Sequence, residues 1–173
     1  NLGVIVVGVG SGLSYADLGA THHALEDIGV LRSIPNLNIV TPADPLELES
    51  LVPQIIKKKQ PTYLRIGKRG ERNIYKTKPK IQFQKWNEII KGKKICIIGS
   101  GNIIINAYEA IKELNKLKIY PSLISAHTIK PLDKLTLKKI FKNFKYIVTL
   151  EEHSKIGGLA SSISEFYIEN QYE

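Results

Sequence analysis

The residues best suited to proton transfer or metal binding are four histidines. His22 and His23 are adjacent and lie close to Glu26, whereas His127 and His153 each stand alone. Neighbouring side chains on a helix point about 100° apart, and the sequence contains neither a His-Glu-x-x-His motif nor paired cysteines. The sequence therefore predicts no metal site. It indicates instead loop histidines that form hydrogen bonds or contact a substrate.

Two glycine clusters could cradle a pyrophosphate at a turn between a strand and a helix. The first has glycines at positions 8, 10 and 12, which is not the spacing of a dinucleotide-binding fingerprint. In the second, Gly99-Ser100-Gly101, Ile104 stands where a small residue would let helix and strand pack closely. We interpret both clusters as tight turns.

The charge of the chain is basic, because 25 Lys plus Arg outnumber 16 Asp plus Glu for a formal charge of +9 at pH 7. The lysines are scattered over the polar faces of separate predicted helices, which disfavours nucleic-acid binding and suits small phosphorylated substrates. A single cysteine, Cys96, indicates a reducing compartment, and we expect the cytoplasm. No apolar stretch approaches the roughly 20 residues of a membrane span, so we expect no membrane association.

The elements that would position these residues alternate between short Val- and Ile-rich runs and longer segments with helical spacing. This alternation is typical of an α/β fold, here two consecutive α/β units with mainly parallel sheets. Strands are predicted at 3–7, 38–41, 62–66, 94–99, 122–126 and 146–150. Helices are predicted from Asp44, after the cap Asp133, over 104–114 and after 157–158.

The helix that begins at Asp44 has the strongest local signals. Pro45 occupies its first position, Glu47 follows the cap by three residues, and lysines occupy its last turn. After this helix, residues 71–91 lack the alternation of strand and helix patterns. We predict that they form a linker between one unit at 1–70 and another at 92–173. The chain contains no methionine and opens directly on an apolar run, so we expect it to be part of a longer polypeptide.

Several segments in a fixed order resemble one enzyme family. They are GATHHALEDI at 19–28, LRSIPNL at 31–37, PAD at 42–44, PTYLRIGK at 61–68, HTIKPLD at 127–133, EEH at 151–153 and GGL at 157–159. Together they span nearly the whole chain and closely resemble transketolases, especially the C-terminal section of those encoded as two polypeptides. The resemblance implies that 1–70 is the latter part of the pyrimidine-binding domain of a thiamine diphosphate enzyme. It also implies that 92–173 is the transketolase C-terminal domain.

The resemblance also implies roles for residues of the first unit. His22 matches the family's catalytic histidine, which contacts the ketose substrate and assists proton movements. His23 and Asp17 become substrate-binding candidates, although Asp17 lies one place before the family's usual aspartate position. Lys68 stands where the family often has an arginine that meets the substrate phosphate, and Arg65 is the alternative anchor.

The cofactors implied are thiamine diphosphate and Mg²⁺, bound mainly by parts absent from this chain. The cofactor-activating glutamate is expected upstream of Asn1, and the GDG motif of the diphosphate site has no counterpart in the sequence. This implies that the chain is inactive alone. Its partner would be the missing N-terminal portion or a companion subunit, in a homodimer or heterotetramer that acts on sugar phosphates.

Three other assignments stay open: a 1-deoxyxylulose-5-phosphate synthase, a 2-oxoacid dehydrogenase beta subunit, and a non-catalytic dimerisation module. Glu151, Glu152 and His153 follow a predicted strand at its carboxyl end, where parallel sheets bind ligands. The family's C-terminal domain is chiefly a dimer and packing element, so for these three residues a structural role is favoured over a ligand site.

Overall fold

The first sheet combines strands from both halves of the chain. The computed structural model describes residues 2–172. This sheet contains β1 (Ile5–Val9), β2 (Asn38–Val40), β3 (Thr62–Ile66) and β7 (Thr128–Lys130), in the order β1-β3-β2-β7. The pairs β1–β3 and β3–β2 are parallel, and β7 runs antiparallel to β2.

The second sheet contains β4 (Asn87–Ile90), β5 (Ile95–Gly99), β6 (Ser122–Ser125) and β8 (Tyr146–Leu150). Its strand order is β4-β6-β5-β8. The central strand β5 pairs in parallel with β6 and β8, whereas β4 is antiparallel at the edge. The chain crosses from one side of β5 to the other after β6. Carboxyl-end loops at such a switch point commonly meet ligands.

Within residues 2–172 four α-helices lie between strands and a fifth follows the last strand: α1 (Asp27–Arg32), α2 (Pro45–Lys58), α3 (Ile104–Lys116), α4 (Lys134–Asn143) and α5 (Leu159–Glu169). None of the helices within residues 2–172 is long and apolar enough to cross a membrane.

The starts of α2 and α4 follow the capping signals in the sequence. The Asp44 carboxylate accepts the Glu47 N–H at 2.7 Å, and the Asp133 carboxylate accepts the Thr136 N–H at 3.0 Å. Each bond satisfies an N–H group that has no partner inside its helix. Lys59 ends α2 in the left-handed conformation, with φ +53°.

Apolar clusters join the two halves of the chain. Ile28 and Ile39 from the first half of the chain pack with Ile129, and Ala43 packs in a cluster with Ile104. Because these residues are almost fully buried, the contact between the two halves is part of the core.

The predicted fold class is confirmed: two mixed, mostly parallel four-stranded sheets carry helices. Three local predictions need correction. The first strand lies two residues later than 3–7, the strand at Thr128–Lys130 was not predicted, and β4 lies inside the predicted linker 71–91. Strands of three or four residues are too short to show alternation. Phe83 and Trp86 in that linker are buried, so much of it packs as part of the fold.

Candidate functional site

The His22 loop, residues 10–26, connects β1 to α1 at the carboxyl end of the first sheet. Gly10 and Gly12 turn the chain with φ +87° and +59°, conformations that favour glycine. Two short 3₁₀ turns follow, Ala16–Leu18 and Ala20–His22. The predicted tight turn is therefore present, and it is the start of the loop that carries the paired histidines.

Three of the predicted site residues lie on this loop. His22 is exposed at the end of the second turn, with Nδ1 3.0 Å from Thr21 Oγ1. His23 is partly buried, and its Nε2 lies 3.4 Å from the Ala16 carbonyl oxygen. Asp17 is exposed in the first turn. The loop thus presents an imidazole and a carboxylate to solvent, groups that can exchange protons and hydrogen bonds with a polyhydroxyl ligand.

Lys68 follows β3 and lies beside the same loop. Its ammonium group is 5.8 Å from the centre of the Tyr15 ring, a cation–π contact with a residue of the His22 loop. Lys68 also borders a cavity of about 290 Å³ lined by Val9, Pro42 and Ile66 among others. This volume is close to the lower end for small-molecule sites. The structure therefore joins a cation, a largely apolar cavity and the loop at one edge of the sheet.

Arg65 does not lie at that surface, which corrects its expected place as a phosphate anchor. Its side chain is only 2% exposed, and Nε lies 2.8 Å from Asp27 Oδ2. Nη2 donates to the carbonyl oxygens of Ala24 and Glu152 at 2.6 and 3.0 Å. Tyr63, two residues earlier on the same face of β3, donates to the same Asp27 oxygen. The guanidinium is thus a buried structural group.

The segment after β8 makes structural contacts. The Glu151 carboxylate accepts the N–H groups of Leu159 and Ala160 at 2.6 and 2.8 Å, which caps α5. His153 Nε2 accepts the Gly29 N–H at 3.0 Å, and its Nδ1 lies 2.9 Å from the Ser154 carbonyl oxygen. These contacts favour the packing interpretation of the Glu-Glu-His segment over a ligand site.

Glu47 is a buried acid that the sequence did not single out as a core group. Its carboxylate accepts from Ala43 N at 2.6 Å, Ser125 Oγ at 2.9 Å and Tyr75 OH at 3.2 Å. Burial raises the pKa of Glu47 to about 7, although these hydrogen bonds oppose the change. The capping pattern predicted only a local role, whereas the side chain joins α2 to the second sheet.

His127 is also an interior group. Its Nε2 lies 2.7 Å from the Lys85 carbonyl oxygen and its Nδ1 3.0 Å from Thr128 Oγ1. Burial lowers the pKa of this imidazole to about 4. His127 is therefore a buried structural group, whereas His22 is exposed.

A metal ion bound by this part of the chain would need several coordinating side chains close together. Within residues 2–172, no three His, Cys, Asp or Glu side chains lie close enough together to hold a metal ion. The described residues thus offer no metal cage built from protein side chains alone, and we assign no chemical step to a metal ion in this part of the chain.

Curated relatives of the chain are named as transketolases or as 1-deoxy-D-xylulose-5-phosphate synthases. One is a subunit of the apulose-4-phosphate transketolase of Phocaeicola vulgatus, 34% identical over 96% of this chain and 54% of the relative. A 1-deoxy-D-xylulose-5-phosphate synthase of Clostridium botulinum is 36% identical over 87% of this chain and 24% of the relative. The chain spans about half the length of the transketolase-type relatives that it matches.

One solved structure and two family models indicate the same family. A structure described as a split-gene transketolase, inactive beta4 tetramer, superposes with a TM-score of 0.86 at 27% identity. The match covers 98% of this chain and 55% of that one. The model of the transketolase pyrimidine-binding domain matches residues 1–72, and that of the transketolase C-terminal domain matches residues 84–173. On these matches, the chain belongs to the transketolase family.

Proposed function

We propose that this chain is part of a thiamine diphosphate-dependent transketolase that moves a two-carbon ketol unit between sugar phosphates. The donor ketose phosphate becomes an aldose phosphate two carbons shorter, and the acceptor becomes a ketose phosphate two carbons longer. One observation carries the proposal. The exposed His22 loop and Lys68 meet at the carboxyl edge of the first sheet, next to a small cavity.

The residues of this chain have distinct parts in that reaction. The His22 imidazole forms a hydrogen bond with a sugar hydroxyl. It takes up or returns the hydroxyl proton as that group becomes a carbonyl or is formed from one. His23 and Asp17 orient further hydroxyl groups, and the Lys68 ammonium pairs with the substrate phosphate. Lys68 keeps the positive charge of an arginine but offers no bidentate fork, so its contact with phosphate is less directional.

The cofactor belongs mainly to other parts of the assembly. When bound, thiamine diphosphate would supply the electron sink for carbon–carbon bond cleavage, and Mg²⁺ would help to hold its diphosphate. We propose that both are held by the upstream portion of the polypeptide and by a companion subunit in an oligomer. Support comes from a relative named as one of the subunits of a transketolase and from the split-gene tetramer that the fold matches.

The test is an assay of the complete polypeptide, purified with its companion subunit and supplied with thiamine diphosphate and Mg²⁺. Transfer from a ketose phosphate to an aldose phosphate is expected, and His22→Ala should abolish most of it. An assembly with bound cofactor that transfers no ketol unit from any ketose donor would refute the proposal and favour a non-catalytic module.

A second candidate follows from the 36% identity to a 1-deoxy-D-xylulose-5-phosphate synthase. That activity would consume pyruvate and release CO₂, whereas ketol transfer consumes a ketose and releases none. Measuring CO₂ from labelled pyruvate in the same preparation separates the two. Release at a rate that exceeds ketol transfer would favour the synthase.

A further inference from the structure

The tip of the His22 loop has little packing of its own. Every residue from 16 to 22 is exposed, and the two 3₁₀ turns are held by local backbone bonds. The loop is closed near its base by the Ala24 N–H, which donates to the Gly12 carbonyl oxygen at 3.0 Å. A histidine on such a loop has a defined position only if the base of the loop is held from outside.

The second half of the chain provides that hold at the loop's first residues. Asn102 lies just before α3. Its Oδ1 accepts a hydrogen bond from Ser11 Oγ at 3.3 Å, and its Nδ2 donates to Ser14 Oγ at 3.2 Å. One amide therefore contacts both sides of the turn that leads into the exposed tip.

The end of the loop is held by the latch, which we define as residues 151–158. The Ser154 N–H donates to the Leu25 carbonyl oxygen at 2.7 Å. His153 Nε2 accepts the Gly29 N–H, one of the groups in the first turn of α1 that lack a partner inside the helix. The latch thus holds both the last residues of the loop and the helix that follows them.

Arg65 strengthens the same junction from inside the core. Its Nη2 bridges the Ala24 carbonyl of the loop and the Glu152 carbonyl of the latch, while Nε pairs with Asp27 in α1. Charge-assisted hydrogen bonds of this kind are stronger and more directional than neutral ones when both partners are shielded from water.

Two glycines allow the latch to approach α1 closely. Gly157 has φ +85°, and a Cβ there would lie 2.7 Å from the Gly29 Cα. A Cβ on Gly29 would lie 3.2 Å from His153 Cε1. Arg32 then closes the contact by donating to the Gly157 carbonyl oxygen at 3.0 Å. Gly157 is therefore required by its positive φ and by backbone contact, independently of any ligand.

We propose that the latch of the C-terminal unit fixes the His22 loop, with His153 and Arg65 as positioning residues for His22. The consequence for catalysis depends on the proposed function, because it assumes that His22 meets the substrate. The mechanical coupling depends only on the contacts described above. The C-terminal unit is thus assigned a direct part in shaping a site that lies in the other unit.

Hydrogen exchange of the complete assembly tests the coupling without requiring turnover. His153→Ala removes the acceptor of the Gly29 N–H, and amides of residues 16–29 should exchange about tenfold faster. His153→Gln places a carbonyl oxygen near the position of Nε2 and should largely restore protection. Ser125→Ala is the matched control, since it removes a different hydrogen bond between the two halves, to Glu47, and should leave the loop unchanged.

Unchanged loop exchange in His153→Ala would overturn the proposal, and so would an equal increase in Ser125→Ala, because that would indicate general loosening. If His153→Ala does not fold, Arg32→Ala weakens the same contact by removing the donor to the Gly157 carbonyl oxygen and should also speed exchange of residues 24–32. Where ketol transfer is measurable, kcat/KM should fall about tenfold in His153→Ala and recover in His153→Gln. An assembly without ketol transfer would refute the proposed function, while the exchange data would still decide the latch.

Discussion

His22 combines exposure with a place on a loop that is anchored only at its base. If it exchanges protons with the substrate, His22→Ala should lower kcat by about 10²-fold, the usual cost of losing a positioned acid–base group. Folding should be intact, because the side chain packs against little beyond Thr21. Steady-state kinetics and circular dichroism of the complete enzyme provide the measurement.

Leu18→Ala is a suitable control for this variant, since Leu18 is exposed on the same loop. It should retain nearly normal turnover. A His22→Ala enzyme as active as the Leu18→Ala enzyme would remove His22 from the mechanism.

Lys68 should discriminate between substrates by their phosphate. Lys68→Gln removes a charge-assisted contact, so we expect kcat/KM for phosphorylated substrates to fall about 10-fold or more, with little change for unphosphorylated analogues. Lys76→Gln, a charge change at an exposed position after β3, serves as the comparison. Equal losses for both substrate classes would show that Lys68 does not recognise the phosphate, and an equal loss in Lys76→Gln would show that it acts only through general surface charge.

Glu47 should make stability depend on pH. Because its pKa is about 7 in the folded protein against an ordinary 4.5, the folded state keeps a proton that the unfolded chain has lost. Its contribution to the unfolding free energy is therefore complete below about pH 4.5 and is lost as pH rises through about 7, by about 3 kcal/mol in total.

Urea unfolding of the wild type and of Glu47→Gln between pH 4.5 and 8 checks this expectation. The difference between the two proteins isolates Glu47 from His127, whose lowered pKa acts in the opposite direction as pH falls below 6.5. The wild type should lose stability relative to Glu47→Gln as pH rises. Parallel stability profiles would contradict the assignment of a proton to this carboxyl.

At the scale of elements, α5 depends on a cap that comes from the preceding loop. Glu151→Ala leaves the N–H groups of Leu159 and Ala160 without their acceptor and removes a negative charge from the helix start. We expect a loss of about 1–2 kcal/mol in the unfolding free energy. Denaturant unfolding measures it.

Glu113→Ala is the control for α5, because Glu113 is exposed and pairs with the exposed Lys116 on the surface of α3. Such a pair contributes well under about 1 kcal/mol. If Glu151→Ala lost activity without losing stability, Glu151 would belong to a ligand site and the structural assignment would be wrong.

At the scale of the whole molecule, we expect this chain by itself to bind thiamine diphosphate weakly and to transfer no ketol unit. The described residues provide the loop, the latch and Lys68, and the sequence contains no GDG motif of the kind that the family uses to hold the diphosphate. Mixing the chain with the remaining polypeptide and its companion subunit should yield both cofactor binding and activity. Calorimetry and a coupled assay measure the two, and ketol transfer by the chain alone would refute this expectation.

Much of the fold and part of the site follow from local patterns in the sequence. Asp44, Pro45 and Glu47 determine where α2 begins, because a cap needs only residues within one turn. The ordered segments around His22 and Lys68 were enough to predict the family, which the comparisons confirm. Runs of Val and Ile located most strands of the parallel sheets.

Only the tertiary structure decided which distant groups meet. Arg65 was expected as an alternative phosphate anchor because it is a cation close to Lys68 in the sequence. The sequence does not show whether an arginine is buried, and the partner Asp27 lies 38 residues away. His153 meets Gly29 across 124 residues, and β7 pairs with a strand of the other half. Such contacts arise when the chain buries both halves in one core. Local periodicity determines the elements and the faces they bury. The packing of those faces determines which polar groups are buried away from water and therefore need hydrogen-bond partners within the protein.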